Sequence, residues 1–134
     1  MKKIRTLIAH NDVNITNDIV KAIENLEYVD IVGTANDGKE TYNKIIDLNP
    51  EMVFAKYNME NMNGLEVIES SKEKLESDVP IFNMIIDNNI KEEEIDKAYE
   101  IIGNKLNSLI ESTDEIPDSI ANIINEYVEY KNNR

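Results

Sequence analysis

The chain is 134 residues long at 15.4 kDa, the size of one domain with a single real core. Its 14 Lys and Arg stand against 27 Asp and Glu, a formal net charge of −13, so direct binding to nucleic acid or to an anionic membrane is not expected. Zero cysteines and a single histidine, His10, exclude disulfides, thiolate nucleophiles, Cys-bearing zinc sites and multi-histidine metal sites, and make a Ser-His-Asp triad a poor fit.

No stretch approaches the roughly 20 apolar residues of a membrane span. Met-Lys-Lys at the start runs into alternating polar residues instead of a signal-peptide apolar run, so a soluble cytoplasmic protein is expected.

In chain order, Lys3 to Ala9 predicts a first strand. Ile15, Ile19, Val20, Ile23 and Leu26 then recur at helical spacing, with Asn14 or Thr16 available as N-cap. Tyr28 to Ala35 is short and β-branched, and Asn36-Asp37-Gly38 closes it before a helix carrying Tyr42, Ile45, Ile46 and Leu48. Pro50 stops that helix. Met52 to Ala55 predicts a third buried strand, followed by a loop rich in Asn and Met to Asn63-Gly64 and a helix from Leu65 to Leu75.

Pro80 to Ile86 is a fourth strand, and Ile90 to Ile102 a fourth helix with Ile95, Ala98, Tyr99 and Ile102 expected on its inward face. Lys105 to Ile110 fits a short fifth strand or a continuation of helix, and the strand is preferred. From Pro117 at a first helical position, Ile120, Ile123, Ile124, Tyr127 and Val128 define a last amphipathic helix that frays from Lys131.

Alternating strands and helices of this number predict one domain over residues 1–134: a five-stranded, doubly wound parallel sheet in a flavodoxin-like, three-layer αβα arrangement. Its functional crevice is expected at the carboxyl ends of the strands. Glycines at 33, 38, 64 and 103 never cluster, so no phosphate-cradling loop supports nucleotide binding.

The residues also resemble a family. Ile4 to Asp12 (IRTLIAHND), Val32 to Thr41 (VGTANDGKET) and above all Asn49 to Val67 (NPEMVFAKYNMENMNGLEV) are similar to the receiver domains of bacterial two-component response regulators, the CheY-like fold. Pro50, Met59, Met62 and Gly64 fall in register with that family's motif, and Val79-Pro80-Ile81 resembles the start of its fourth strand. The likeness runs from residue 3 to about residue 86, and beyond that it rests on element order.

The resemblance implies a phospho-acceptor aspartate ending the third strand, an acidic pair after the first that holds Mg²⁺, a Ser or Thr after the fourth and a Lys after the fifth. Here the acceptor position holds Lys56, the pair is His10 and Asn11, and the Ser/Thr position is Ile85. A slip of one residue would put Asn11 and Asp12 in the paired slots. Lys105 lies too early for the fifth-strand lysine, no lysine occurs from Asn107 to Thr113, and no aromatic lies between Tyr99 and Tyr127 to act as a switch residue.

An ammonium cannot become an acyl phosphate, and it replaces a divalent ion by a tethered monovalent one, leaving Asp12 to pair with Lys56. His10 reads as a polar strand-end residue rather than a ligand, and Lys56 as a structural cation rather than a nucleophile. Met59 and Met62 read as gap fillers under their loop.

The expected function is therefore a degenerate receiver that is no enzyme, holds no cofactor or metal, and works in signalling or transcription regulation through phosphorylation-independent protein contacts. A homodimer or protein partner is expected on the edge formed by the fourth helix, fifth strand and fifth helix, including Lys91, Glu94, Asn122, Glu126 and Glu129, with a fused or separate output domain. The acidic run from Lys91 to Glu94 fits equally a solvated first helical turn and part of that edge. The rivals are phosphorylation on another acid, such as Asp12 or Asp87, and a small-ligand sensor in the crevice.

Overall fold

A computed structural model describes residues 2–87 and 89–133. Five strands alternate with five helices: β1 Ile4–Ala9, α1 Val13–Ile23, β2 Val29–Ala35, α2 Gly38–Leu48, β3 Met52–Lys56, α3 Gly64–Leu75, β4 Ile81–Ile86, α4 Glu92–Ile102, β5 Leu106–Glu111 and α5 Ile116–Asn132. All strand pairs are parallel, in the order β2-β1-β3-β4-β5. Side chains alternate across such a sheet, so each strand feeds two cores. Leu7, Val53, Ala55, Phe82 and Met84 point into one, beneath α2, α3 and α4, whereas Ile4, Ile8, Phe54, Ile85 and Ile110 point into the other, beneath α1 and α5. This is the three-layer, flavodoxin-like architecture, and it carries all the strand-end loops to one edge.

Several local expectations are corrected. The N-cap of α1 is Asp12, whose carboxylate accepts from the Asn14 N–H at 2.9 Å, so the helix starts earlier than Asn14 or Thr16 would have it. That helix ends at Ile23; Leu26 packs on the core from the following turn. Tyr99 does not face inward: it is 43% exposed, and Ala98 and Ile102 take the buried positions of α4. Pro117 stands second in α5, after Ile116, where its missing N–H is still no loss.

The segment after Gly103 is strand, set one residue later than expected behind a short 3₁₀ turn, Gly103–Lys105. A buried polar cluster joins three strands here. Asn83 donates to the Val53 carbonyl and accepts from the Asn107 amide and the Ser108 hydroxyl, which satisfies a wholly buried amide.

Candidate functional site

At the carboxyl edge of the sheet, β1 runs out at His10, β3 at Lys56 and β4 at Asp87. His10 is almost wholly buried. Its backbone N–H reaches the Ala35 carbonyl at 3.0 Å, and its Nδ1 accepts from the Asp12 N–H at 2.9 Å. That bond assigns the proton of the neutral ring to Nε2, a buried atom with no hydrogen-bond partner among the described residues. Burial first, then the Lys56 ammonium, lowers the His10 pKa, while Asp12 opposes them. The ring is held neutral.

Lys56 closes β3 opposite Ile85 of β4 and is half-buried. Among the described residues its ammonium takes no ion pair within 4 Å, so the pairing expected with Asp12 is not made. Asp12 spends its carboxylate on the α1 cap instead. The acid that feels Lys56 is Asp87: it accepts from the Asn89 N–H at 3.0 Å and from the Asn58 amide at 3.1 and 3.3 Å. Those bonds, with the Lys56 charge, draw its pKa below the usual carboxylate range.

Asn11 is exposed. Ile85 is buried in the apolar cluster that contains Phe54, Ile110 and Ile116, so a polar ligand finds no donor on it. No lysine occurs in β5, and Lys105 lies at the opposite end of the sheet, donating to the Val79 carbonyl at 2.9 Å. Among the described residues no three of His, Asp and Glu are placed to hold a metal ion.

The loop Tyr57 to Asn63 is clamped from three sides. Asn58 ties it to Asp87. The Glu60 carbonyl accepts from the Gly38 N–H at 3.0 Å, and the Asn61 amide donates to Asp37 at 2.9 Å. Gly64 donates to the Tyr57 carbonyl at 2.7 Å and opens α3, whose Asn63 and Glu66 form a reciprocal capping box. A side chain at Gly38 would place its Cβ 1.7 Å from the Met62 carbonyl oxygen, so only glycine permits this approach. Met59 is buried and Met62 half-buried, both packed on the core, as gap fillers.

Sequence reasoning singled out neither Tyr57 nor Asn58. Burial, with the carboxylate of Glu94 nearby, pushes the Tyr57 hydroxyl up to about 12. Glu94 thus lies half-buried against Tyr57 at the head of α4, while Lys91, Asn122, Glu126 and Glu129 are exposed. Of these, Glu126 lines a groove of about 390 Å³ together with Asn107, Ile123, Tyr127 and Tyr130, among others. Asn58 carried one signal: it is a polar residue set between the apolar Tyr57 and Met59.

This arrangement of sheet, crevice and clamped loop is the fold of CheY-like response-regulator receiver domains. The response regulator domain of CheB from Thermotoga maritima superimposes with a TM-score of 0.76 at 20% identity, covering 96% of each chain. The receiver domain of the response regulator NarL from Mycobacterium tuberculosis gives 0.69 at 18% identity, over 92% of this chain and 97% of that one. Among curated proteins, a protein-glutamate methylesterase/protein-glutamine glutaminase of Geobacter sulfurreducens is 29% identical over 101 residues, 75% of this chain. The chain spans about a quarter (26%) of the length of that relative. No family model matches the chain.

Proposed function

We propose that this chain is a receiver domain of two-component signalling that has lost phosphoryl transfer and acts in one fixed state through protein contacts. The observation that carries the reading is Lys56 at the end of β3, an ammonium where the resembled family has its acceptor carboxylate. The neighbouring acids support it. Asp12 caps α1 and Asp87 is bound to Asn58 and the Asn89 N–H, so each carboxylate already serves a cap or a turn.

The Mg²⁺ that such folds use does not fit this donor set. A hard divalent cation wants several oxygen ligands, and this crevice offers the carboxylates of Asp12 and Asp87, each already accepting N–H bonds, an ammonium, and a neutral imidazole whose Nδ1 is already taken.

The contact surface we assign is the edge of α4, β5 and α5. It is met by a second copy or another protein, with the output domain fused or separate. With Ile85 closed into the core and no aromatic on β5, no event in the crevice biases two states of that edge.

Thermal unfolding tests the crevice directly. A ligand that binds only the folded state adds RT ln(1 + [L]/Kd), so millimolar Mg²⁺ should leave Tm where NaCl of matched ionic strength leaves it. A rise of several degrees specific to Mg²⁺ would overturn the reading.

A further inference from the structure

The end of the sheet opposite the crevice carries an open groove of about 990 Å³, bounded by the start of β1, the turns before β3 and β4, the turn before β5 and the end of α5. Lys2, Lys3, Arg5, Lys105 and Lys131 line it, five of the chain's 14 cations, against two of its 27 acids, Glu51 and Asp78. In a molecule of net charge −13, this end is locally positive.

Three of these cations are fixed in place. Arg5 Nη1 donates to the Asn49 carbonyl at 2.8 Å, Lys105 Nζ to the Val79 carbonyl at 2.9 Å, and Lys131 Nζ to Glu51 at 2.9 Å. Glu51 also accepts from the Tyr127 hydroxyl, so its charge is answered within the fold. Each bond uses one N–H of the several an ammonium or guanidinium carries.

Helix dipoles explain part of the cluster. Arg5 sits on the carbonyl that caps α2, and Lys131 lies in the last turn of α5. They do not explain Lys2 and Lys3, which have no partner among the described residues.

We propose that this groove docks an acidic segment of a partner protein in extended form, with its carboxylates on the cations and its apolar side chains against Ile46, Leu75 and Ile81, which also line it. Two observations favour a segment over a compact anion. The cations come from three separate parts of the chain, with Arg5 and Lys105 pinned to the different carbonyls of Asn49 and Val79, and Ile46, Leu75 and Ile81 line the groove with them. Because the rest of the molecule is acidic, it repels such a segment everywhere else and steers it to this end.

The test uses the full chain and a fluorescein-labelled peptide of about a dozen residues alternating Glu and Leu, an extended length that spans such a groove. Anisotropy should show saturable binding at low salt that weakens several-fold at about 0.5 M NaCl. The double variant Lys2→Glu, Lys3→Glu should weaken it about fivefold while leaving the circular dichroism and Tm unchanged, since both residues are exposed and unpartnered. Absence of saturable binding, or equal binding by the double variant, overturns the proposal. Displacement of the peptide by an equal charge concentration of tripolyphosphate overturns it in favour of a compact-anion site.

Discussion

His10 makes stability depend on pH in one direction. Its folded pKa is lowered by burial and by Lys56, so at mildly acidic pH the unfolded chain binds a proton that the native state refuses. The contribution is fully present above the ordinary imidazole value of about 6.5 and is lost as pH falls below it. His10→Asn keeps an acceptor for the Asp12 N–H, as Asn does in Asx turns, but cannot titrate. Melting curves from pH 7 to about 5 should fall for the native chain and flatten for this variant; parallel curves would show that His10 carries no such linkage. Lys56→Met should raise the His10 pKa without restoring it fully, because burial is the larger cause. NMR titration of the lone imidazole reads that shift directly, and an unchanged or lowered value would refute the electrostatic account.

Elements were legible in the sequence where one face repeats. Ile19, Ile23, Ile120, Ile124 and Val128 were visible as helix faces because burial itself imposes the 3.6-residue period. Tyr99 matched that period on α4 and still faces outward, since periodicity cannot say which of two adjacent positions the sheet covers. The α1 cap was missed because both Asp12 and Asn14 suit the role, and only the backbone path after β1 selects between them. The clamp on the loop from Tyr57 to Asn63 was equally invisible, for it depends on Gly38 and Asp37 arriving from another unit.

Gly38→Ala tests that clamp. The substitution gains about 0.4–1 kcal/mol from the unfolded chain, but the 1.7 Å approach to the Met62 carbonyl forces backbone to move, and a net loss of about 2–4 kcal/mol is expected in chemical denaturation. A neutral or stabilised variant would mean the loop is loosely held. Asn58→Ala, which frees Asp87, should speed amide exchange through residues 57–63 with little change in global stability.

For the whole molecule, the sequence alone sufficed for a doubly wound parallel sheet of five strands, because parallel βα connectivity leaves few alternatives, and it named candidate crevice residues. It did not disclose how those residues are used. Asp12 sits on a helix cap and Asp87 on Asn58 through loop geometry, which no spacing rule encodes. The proposed division of labour between crevice and edge is testable through association. Glu126→Lys with Glu129→Lys should weaken any dimer seen by sedimentation, or any partner recovered by pull-down, whereas His10→Asn and Lys56→Met should not. The reverse pattern would make the crevice the functional site and favour the ligand-sensor rival.

The central claim is that a receiver fold with an ammonium at the end of β3 no longer takes a phosphoryl group. Incubation of the full chain with acetyl phosphate and Mg²⁺, followed by intact-mass measurement, puts that claim to the test most directly. The account predicts an unchanged mass. A gain of one phosphoryl group mapped to Asp12, Asp87 or any other crevice residue would contradict it.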